Sequence, residues 1–91
     1  MKDDGHLAIE NTIKELMISE LNVSRAALES CSSATPLLGS GIGLDSVETM
    51  ALVVAIEQEF DISFPDSELN AALFENLESL TTYVLHKLNH H

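Results

Sequence analysis

The chain is short of several things at once. It has a single cysteine, Cys31, so no internal disulfide can brace it, and Cys31 reads as an incidental loop thiol. It has no tryptophan, one tyrosine and three phenylalanines, so its core must come mainly from aliphatic side chains. No apolar run approaches the ~20 residues that cross a bilayer. The N-terminal Met1-Lys2-Asp3-Asp4-Gly5-His6 lacks the cationic region and apolar stretch of a signal peptide, so a cytoplasmic location is the default expectation. Positive charge is scarcest: four Lys and Arg stand against 15 Asp and Glu, for a net charge of -11. No Lys or Arg occurs between Arg25 and Lys87, a span that holds Glu29, Asp45, Glu48, Glu57, Glu59, Asp61, Asp66, Glu68, Glu75 and Glu78. That distribution argues against nucleic acid and anionic membrane as partners, because both require a basic face. A basic protein surface is the complementary partner, although acidity also serves solubility.

What remains is a chain of 91 residues with 45% apolar side chains, enough for one globular domain with a modest core. Its periodicity is helical, with no sustained apolar/polar alternation. A first helix is expected from about Asp4 to Leu21, with Ile9, Ile13, Leu16, Met17 and Leu21 as its inward stripe and the Glu10–Lys14 pair on its exposed side. A long serine- and glycine-bearing connection, Asn22 to Asp45, follows. Within it Ala26-Ala27-Leu28-Glu29 can form a helical turn, and Leu37 and Leu38 are placed to pin the loop to the core. A second helix runs from about Ser46 to Phe60, with Leu52, Val53, Ile56 and Phe60 inward. Val47, Met50 or Ala51, and Val54 are left nearer the outside. Pro65 breaks the chain, a short third helix is expected from about Asp66 to Leu73, and a last one runs from Leu77 to Leu88. The expected fold is an all-α four-helix bundle, three longer helices and one short, ordered from about residue 4 to 88. Asn89-His90-His91 reads as a frayed tail, open to being the start of a purification tag, and not as a metal site.

The stretch Gly41-Ile42-Gly43-Leu44-Asp45-Ser46-Val47-Glu48 carries the chemistry. A glycine-punctuated loop delivers Ser46 to the mouth of a helix, where a second protein can reach its hydroxyl. Asp45 as N-cap puts Glu48 at capping-box spacing, so a purely structural role for this segment is a real alternative. Free N–H groups and the positive dipole end at a helix N-terminus suit a phosphate. A serine nucleophile needs a base within reach, and His6, His86, His90 and His91 all lie near the termini. There is no Gly-x-Ser-x-Gly elbow, no Gly-Lys-Ser/Thr phosphate loop, and no EF-hand spacing in the acids from Asp61 to Glu68. Ser46 therefore reads as a residue to be modified, in a protein that is not an enzyme.

Taken with Thr35-Pro36-Leu37-Leu38-Gly39, Glu57-Gln58-Glu59-Phe60-Asp61-Ile62-Ser63-Phe64-Pro65-Asp66, and Phe74-Glu75-Asn76-Leu77-Glu78-Ser79-Leu80 with Tyr83, the motif resembles the acyl carrier proteins over nearly the whole chain. The resemblance implies that a separate phosphopantetheinyl transferase moves 4'-phosphopantetheine from coenzyme A onto Ser46 Oγ, next to Asp45, supplying its own magnesium and base. The resulting thiol would carry acyl intermediates as thioesters in fatty acid, polyketide or related lipid biosynthesis. It also implies that the second helix is the docking face, with Val47, Glu48, Val54, Glu57 and Glu59 meeting basic patches on acyl-transferring and acyl-modifying enzymes. Leu52, Ile56, Phe60, Ile62, Phe64 and Leu69 are the implied acyl lining, or simply core when no cargo is attached. A monomer with no membrane insertion is expected. Two departures from the family pattern stand out. Val47 replaces the usual leucine, and Ala51 to Ile56 carry no acid, with Gln58 interrupting the acidic cluster. Charge steering should therefore be weaker, which points to a specialised pathway. A peptidyl or aminoacyl carrier, and an acidic interaction module with no modification, are the other readings.

Overall fold

The computed structural model describes residues 3–38 and 41–89, from which four helices emerge. These are α1 (Asp3–Leu21), the short α2 (Arg25–Glu29), α3 (Ser46–Phe60) and α4 (Leu77–Leu88). Gly39-Ser40 of the connecting loop and the His90-His91 tail lie outside the described residues. The chain folds as a small all-α bundle in which α1 packs against both α3 and α4.

Local signals account for the helix ends. Asn22, in the left-handed region at φ 60°, turns the chain off α1. Ser24 caps α2 by accepting from the Ala27 N–H, the ordinary role of a serine N-cap. Asp61, left-handed at φ 56°, ends α3. α4 opens on a reciprocal capping box, Asn76 accepting from the Ser79 N–H and the Asn76 N–H donating to Ser79 Oγ. Ser79 Oγ also donates to the Leu73 carbonyl, which fastens the preceding segment onto α4.

The core is aliphatic, as the scarcity of aromatics requires. Ile9, Ile13 and Met17 of α1 meet Leu52, Val53 and Ile56 of α3 and Leu77, Leu80 and Val84 of α4, with Leu37, Leu44 and Phe64 closing the ends. Leu16 and Leu21 are half-buried against it. Thr81 is fully buried, and its Oγ1 has no hydrogen-bond partner among the described residues.

Three details differ from the sequence expectation. The Asp66–Leu73 helix is only a 3-10 turn over Asp66–Glu68, preceded by Pro65, which makes no side-chain cap. The Asn70 side chain accepts from the Leu73 N–H, so a local turn takes a backbone donor that a helix would use. Glu10 is not on an exposed face. It is buried, because the long loop folds over it and Ser33 Oγ donates to its Oε2 at 2.8 Å, with Lys14 Nζ at 3.6 Å and His6 Nδ1 at 3.8 Å. Only one of the two loop leucines pins the loop, since Leu37 is fully buried while Leu38 is 39% exposed.

Candidate functional site

The approach to α3 is stitched rather than slack. The Ile42 N–H donates to the Pro36 carbonyl at 2.8 Å and the Leu44 N–H to the Leu37 carbonyl at 2.9 Å. The Leu37 N–H reaches the Glu75 carbonyl, and Pro36 pairs with Asn76, so the loop is tied to the entry of α4 as well. Gly41 is demanded by this closeness, since a Cβ there would lie 1.9 Å from the Pro36 carbonyl oxygen. Gly43 turns the chain at φ 88°, a region side chains rarely adopt.

This path leaves Asp45 as the N-cap of α3. Its Oδ1 accepts from the Glu48 N–H at 2.7 Å, and Glu48 Oε1 accepts from the Asp45 N–H at 3.1 Å, the expected capping box in full. Ser46 is then the first helical residue. It is exposed, and its hydroxyl makes no hydrogen bond among the described residues. With Asp45 satisfying the Glu48 N–H, the Ser46 and Val47 N–H groups have no acceptor among the described residues. An anion on Ser46 Oγ would therefore meet unspent donors and the positive end of a four-turn helix. No described side chain is bonded to Ser46 as a base would be. His6 sits against Glu10, and His86 belongs to a groove on α4.

The sequence-predicted docking residues divide. Val47 is 77% exposed and Val54 47% exposed, with Met50 at 48% between them. Glu59 is also exposed. Glu48 is half-buried in the capping box. Glu57 is half-buried and engaged, with its Oε2 accepting from the Phe64 N–H at 2.8 Å, which folds the Asp61–Phe64 turn back onto α3. The six predicted lining residues come together, with Leu52, Ile56 and Phe64 in the core and Phe60, Ile62 and Leu69 packed against it.

Two concavities lie elsewhere. One, of about 200 Å³, runs between α1 and α2 beside the Glu15–Arg25 pair, whose guanidinium donates to both carboxylate oxygens at 2.9 and 3.1 Å. That hydrogen-bonded pairing, and then the opposite charge, holds the Glu15 carboxyl below its ordinary value and raises Arg25. The other, of about 480 Å³, is a largely apolar groove between the 66–73 segment and α4, lined by Glu68, Leu73, Thr82, Tyr83 and His86 among others. None of the six predicted lining residues borders it. Its Tyr83 ring packs on Phe64 at 5.0 Å between centroids, with Lys87 Nζ 5.6 Å from the ring centre and 3.2 Å from Glu68 Oε1.

A reachable serine at a helix mouth, with no hydrogen bond to its hydroxyl and open donors beside it among the described residues, is what a covalently attached phosphate needs. The family described as "phosphopantetheine attachment site" matches residues 11–84. The chain belongs to that family. A carrier domain of this kind is the site of covalent 4'-phosphopantetheine attachment, and such domains work with phosphopantetheinyl transferases and acyl-handling enzymes. No solved structure matches the chain. Sequence reasoning missed Ser33 and Glu10, whose contact spans 23 positions and left no local signal. It also missed the Asn76–Ser79 capping box, which the three-residue spacing could have revealed.

Proposed function

We propose that this carrier domain takes its 4'-phosphopantetheine on Ser46 and carries acyl groups for fatty acid, polyketide or related lipid biosynthesis, without catalysing a reaction itself. The observation that carries the assignment is the exposed Ser46 hydroxyl at the first position of α3, beside two N–H groups, none of these three with a hydrogen-bond partner among the described residues. The attached group supplies a terminal thiol that holds its cargo as a thioester. The chain's own residues supply placement. Asp45 and Glu48 lock the first turn so that Ser46 projects from a fixed backbone. The Ser46 and Val47 N–H groups would be the donors available to the phosphate's charge, and Gly43 turns the chain into this position. Leu52, Ile56, Phe60, Ile62, Phe64 and Leu69 are the apolar surface an acyl chain would enter, displacing contacts they make with one another in the unloaded fold.

The net charge of -11 supports an acyl carrier over a peptidyl or aminoacyl carrier. The uncharged middle of α3 supports a pathway other than the main fatty-acid synthase. A cytoplasmic location fits both, and no helix among the described residues is long and apolar enough to cross a membrane. The test is direct. The protein is incubated with coenzyme A, magnesium and a promiscuous phosphopantetheinyl transferase, and its intact mass is measured. A single added phosphopantetheine on the wild type and none on Ser46→Ala is the expected result. No addition, or the same addition on Ser46→Ala, overturns the proposal.

A further inference from the structure

The groove between the 66–73 segment and α4 contains two polar atoms that the fold leaves unanswered. Tyr83 Oη and Glu68 Oε1 are both buried, and neither has a hydrogen-bond partner among the described residues. Lys87 Nζ lies 3.2 Å from Glu68 Oε1, close enough to offset its charge but not aligned as a hydrogen bond. The same ammonium stands 5.6 Å from the centre of the Tyr83 ring, so Glu68 and Tyr83 are neighbours in the groove wall. The wall is mainly apolar, with Ala72, Leu73 and the Tyr83 ring in it. The Ser79 hydroxyl, also in the wall, is spent on the Asn76 N–H and the Leu73 carbonyl. At about 480 Å³ the groove has the size of a small-molecule site. Its position links it to Ser46. Ser79 belongs to the capping box at Asn76, and Asn76 pairs with Pro36. The carbonyls of Pro36 and Leu37 in turn hold the Ile42 and Leu44 N–H groups on the approach to Ser46. One end of the groove therefore starts at the same knot of backbone as that serine.

We infer that this groove seats an acyl chain bearing a hydroxyl group, delivered by the arm on Ser46, with Tyr83 and Glu68 holding the hydroxyl. The inference rests on Ser46 carrying the arm. A hydroxyl is the group that answers both atoms at once, since its oxygen accepts from the Tyr83 O–H and its own O–H donates to Glu68 Oε1. A ketone accepts from Tyr83 but has nothing to donate to Glu68, and a plain alkyl chain answers neither. In the core a chain hydroxyl would lie against Leu52, Ile56 and Phe64, where burial without a partner costs stability. Chemistry thus sorts the cargo between two places, plain chains to the core lining and hydroxylated chains to the groove. The tether makes modest contacts sufficient, because a chain held on the same molecule meets the groove at a high effective concentration.

The experiment loads the protein with octanoyl- or hydroxyoctanoyl-phosphopantetheine from the matching acyl-coenzyme A, using a promiscuous phosphopantetheinyl transferase. Two hydroxyoctanoyl chains are used, one with its hydroxyl β to the thioester carbonyl and one with it at the far end. NOEs from the chain and unfolding in urea are measured for the wild type, Tyr83→Phe and Thr81→Val. At least one hydroxyoctanoyl chain should touch the Tyr83 ring and Leu73, where octanoyl does not. That chain should also lower the wild type's unfolding constant about tenfold relative to octanoyl, the effect of one or two hydrogen bonds. Tyr83→Phe keeps the ring that packs on Phe64 and removes only the hydroxyl, so the advantage should fall to about twofold or less. Thr81→Val should leave the advantage intact. NOEs from both hydroxyoctanoyl chains to Leu52 and Ile56 alone overturn the inference, as does an advantage that survives Tyr83→Phe. An advantage lost in Thr81→Val also overturns it, because the buried Thr81 hydroxyl would then be the partner. Failure to load the wild type, or equal loading of Ser46→Ala, counts against the attachment reading. Loading on Ser46 with no chain contact in the groove counts against the groove alone.

Discussion

Replacing Glu57 by alanine should destabilise this fold by about 2 kcal/mol, although Glu57 stands on the face the sequence assigns to docking. The reasoning begins with one hydrogen bond. Glu57 Oε2 accepts from the Phe64 N–H at 2.8 Å, the short length of a bond to a charged acceptor. Such bonds contribute roughly 1.5–3 kcal/mol, and removing the acceptor leaves a donor belonging to a buried residue without a partner. Alanine's higher helix propensity returns a few tenths of a kcal/mol. The net, about 1.5–2.5 kcal/mol, is a large share of the roughly 5–13 kcal/mol that holds a domain of this size. With a urea m-value near ~1 kcal/mol/M, the midpoint should fall by roughly 1.5–2.5 M. Glu57→Gln keeps an oxygen acceptor and should lose less than about 1 kcal/mol. Amide exchange supplies the local readout, with the Phe64 N–H losing protection in Glu57→Ala by tenfold or more relative to the α3 amides. An alanine variant within ~0.5 kcal/mol of wild type, with Phe64 protection unchanged, would refute the reasoning.

Two further predictions follow from the same geometry. Thr81→Val removes a fully buried hydroxyl that has no partner and replaces it with a methyl of similar size, so unfolding in urea should show a gain of about 1–2 kcal/mol; a loss would mean the hydroxyl is satisfied in solution. The Glu15 carboxyl is held below its ordinary value of 4.5 by Arg25, so the pair stabilises the fold above that value and the contribution fades as pH falls through the lower folded pKa. In Arg25→Gln the Glu15 carboxyl should titrate closer to 4.5 by NMR, and the wild type's advantage over the variant should shrink in acid and in salt, because both groups are fully exposed.

Where the sequence spoke locally, it could be read. Ser46–Phe60 and Leu77–Leu88 have the boundaries their periodicity predicts, because capping residues stand within three positions of each start. The Asp45–Glu48 box was legible for the same reason. Asp66–Leu73 misleads because its apolar spacing is helical, while Asn70 diverts the Leu73 N–H into a turn. Glu10 misleads more deeply, since a Glu–Lys pair four apart looks like a solvated face until a loop arrives from 23 residues away. Glu57 belongs with it: nothing in its own neighbourhood shows that the turn at Asp61 will return Phe64 to its carboxylate. The reach of Ser46 is legible from the glycine-punctuated loop before it, whereas the bonds that hold that loop to its neighbours at several places are not.

Those bonds bear on mechanics. With the proposed attachment, a cargo arm on Ser46 would tug on the backbone whenever its far end is gripped by another protein. In this chain the strain does not run down a loose strap. It passes through Leu44 to Leu37 and through Ile42 to Pro36, and from Pro36 and Leu37 to Glu75 and Asn76. Ser33 adds an anchorage on two of the other helices, its hydroxyl on Glu10 of α1 and its carbonyl on the Glu78 N–H of α4. Force entering at Ser46 would thus be shared among three helices, and the mast from which such an arm would swing would stay upright.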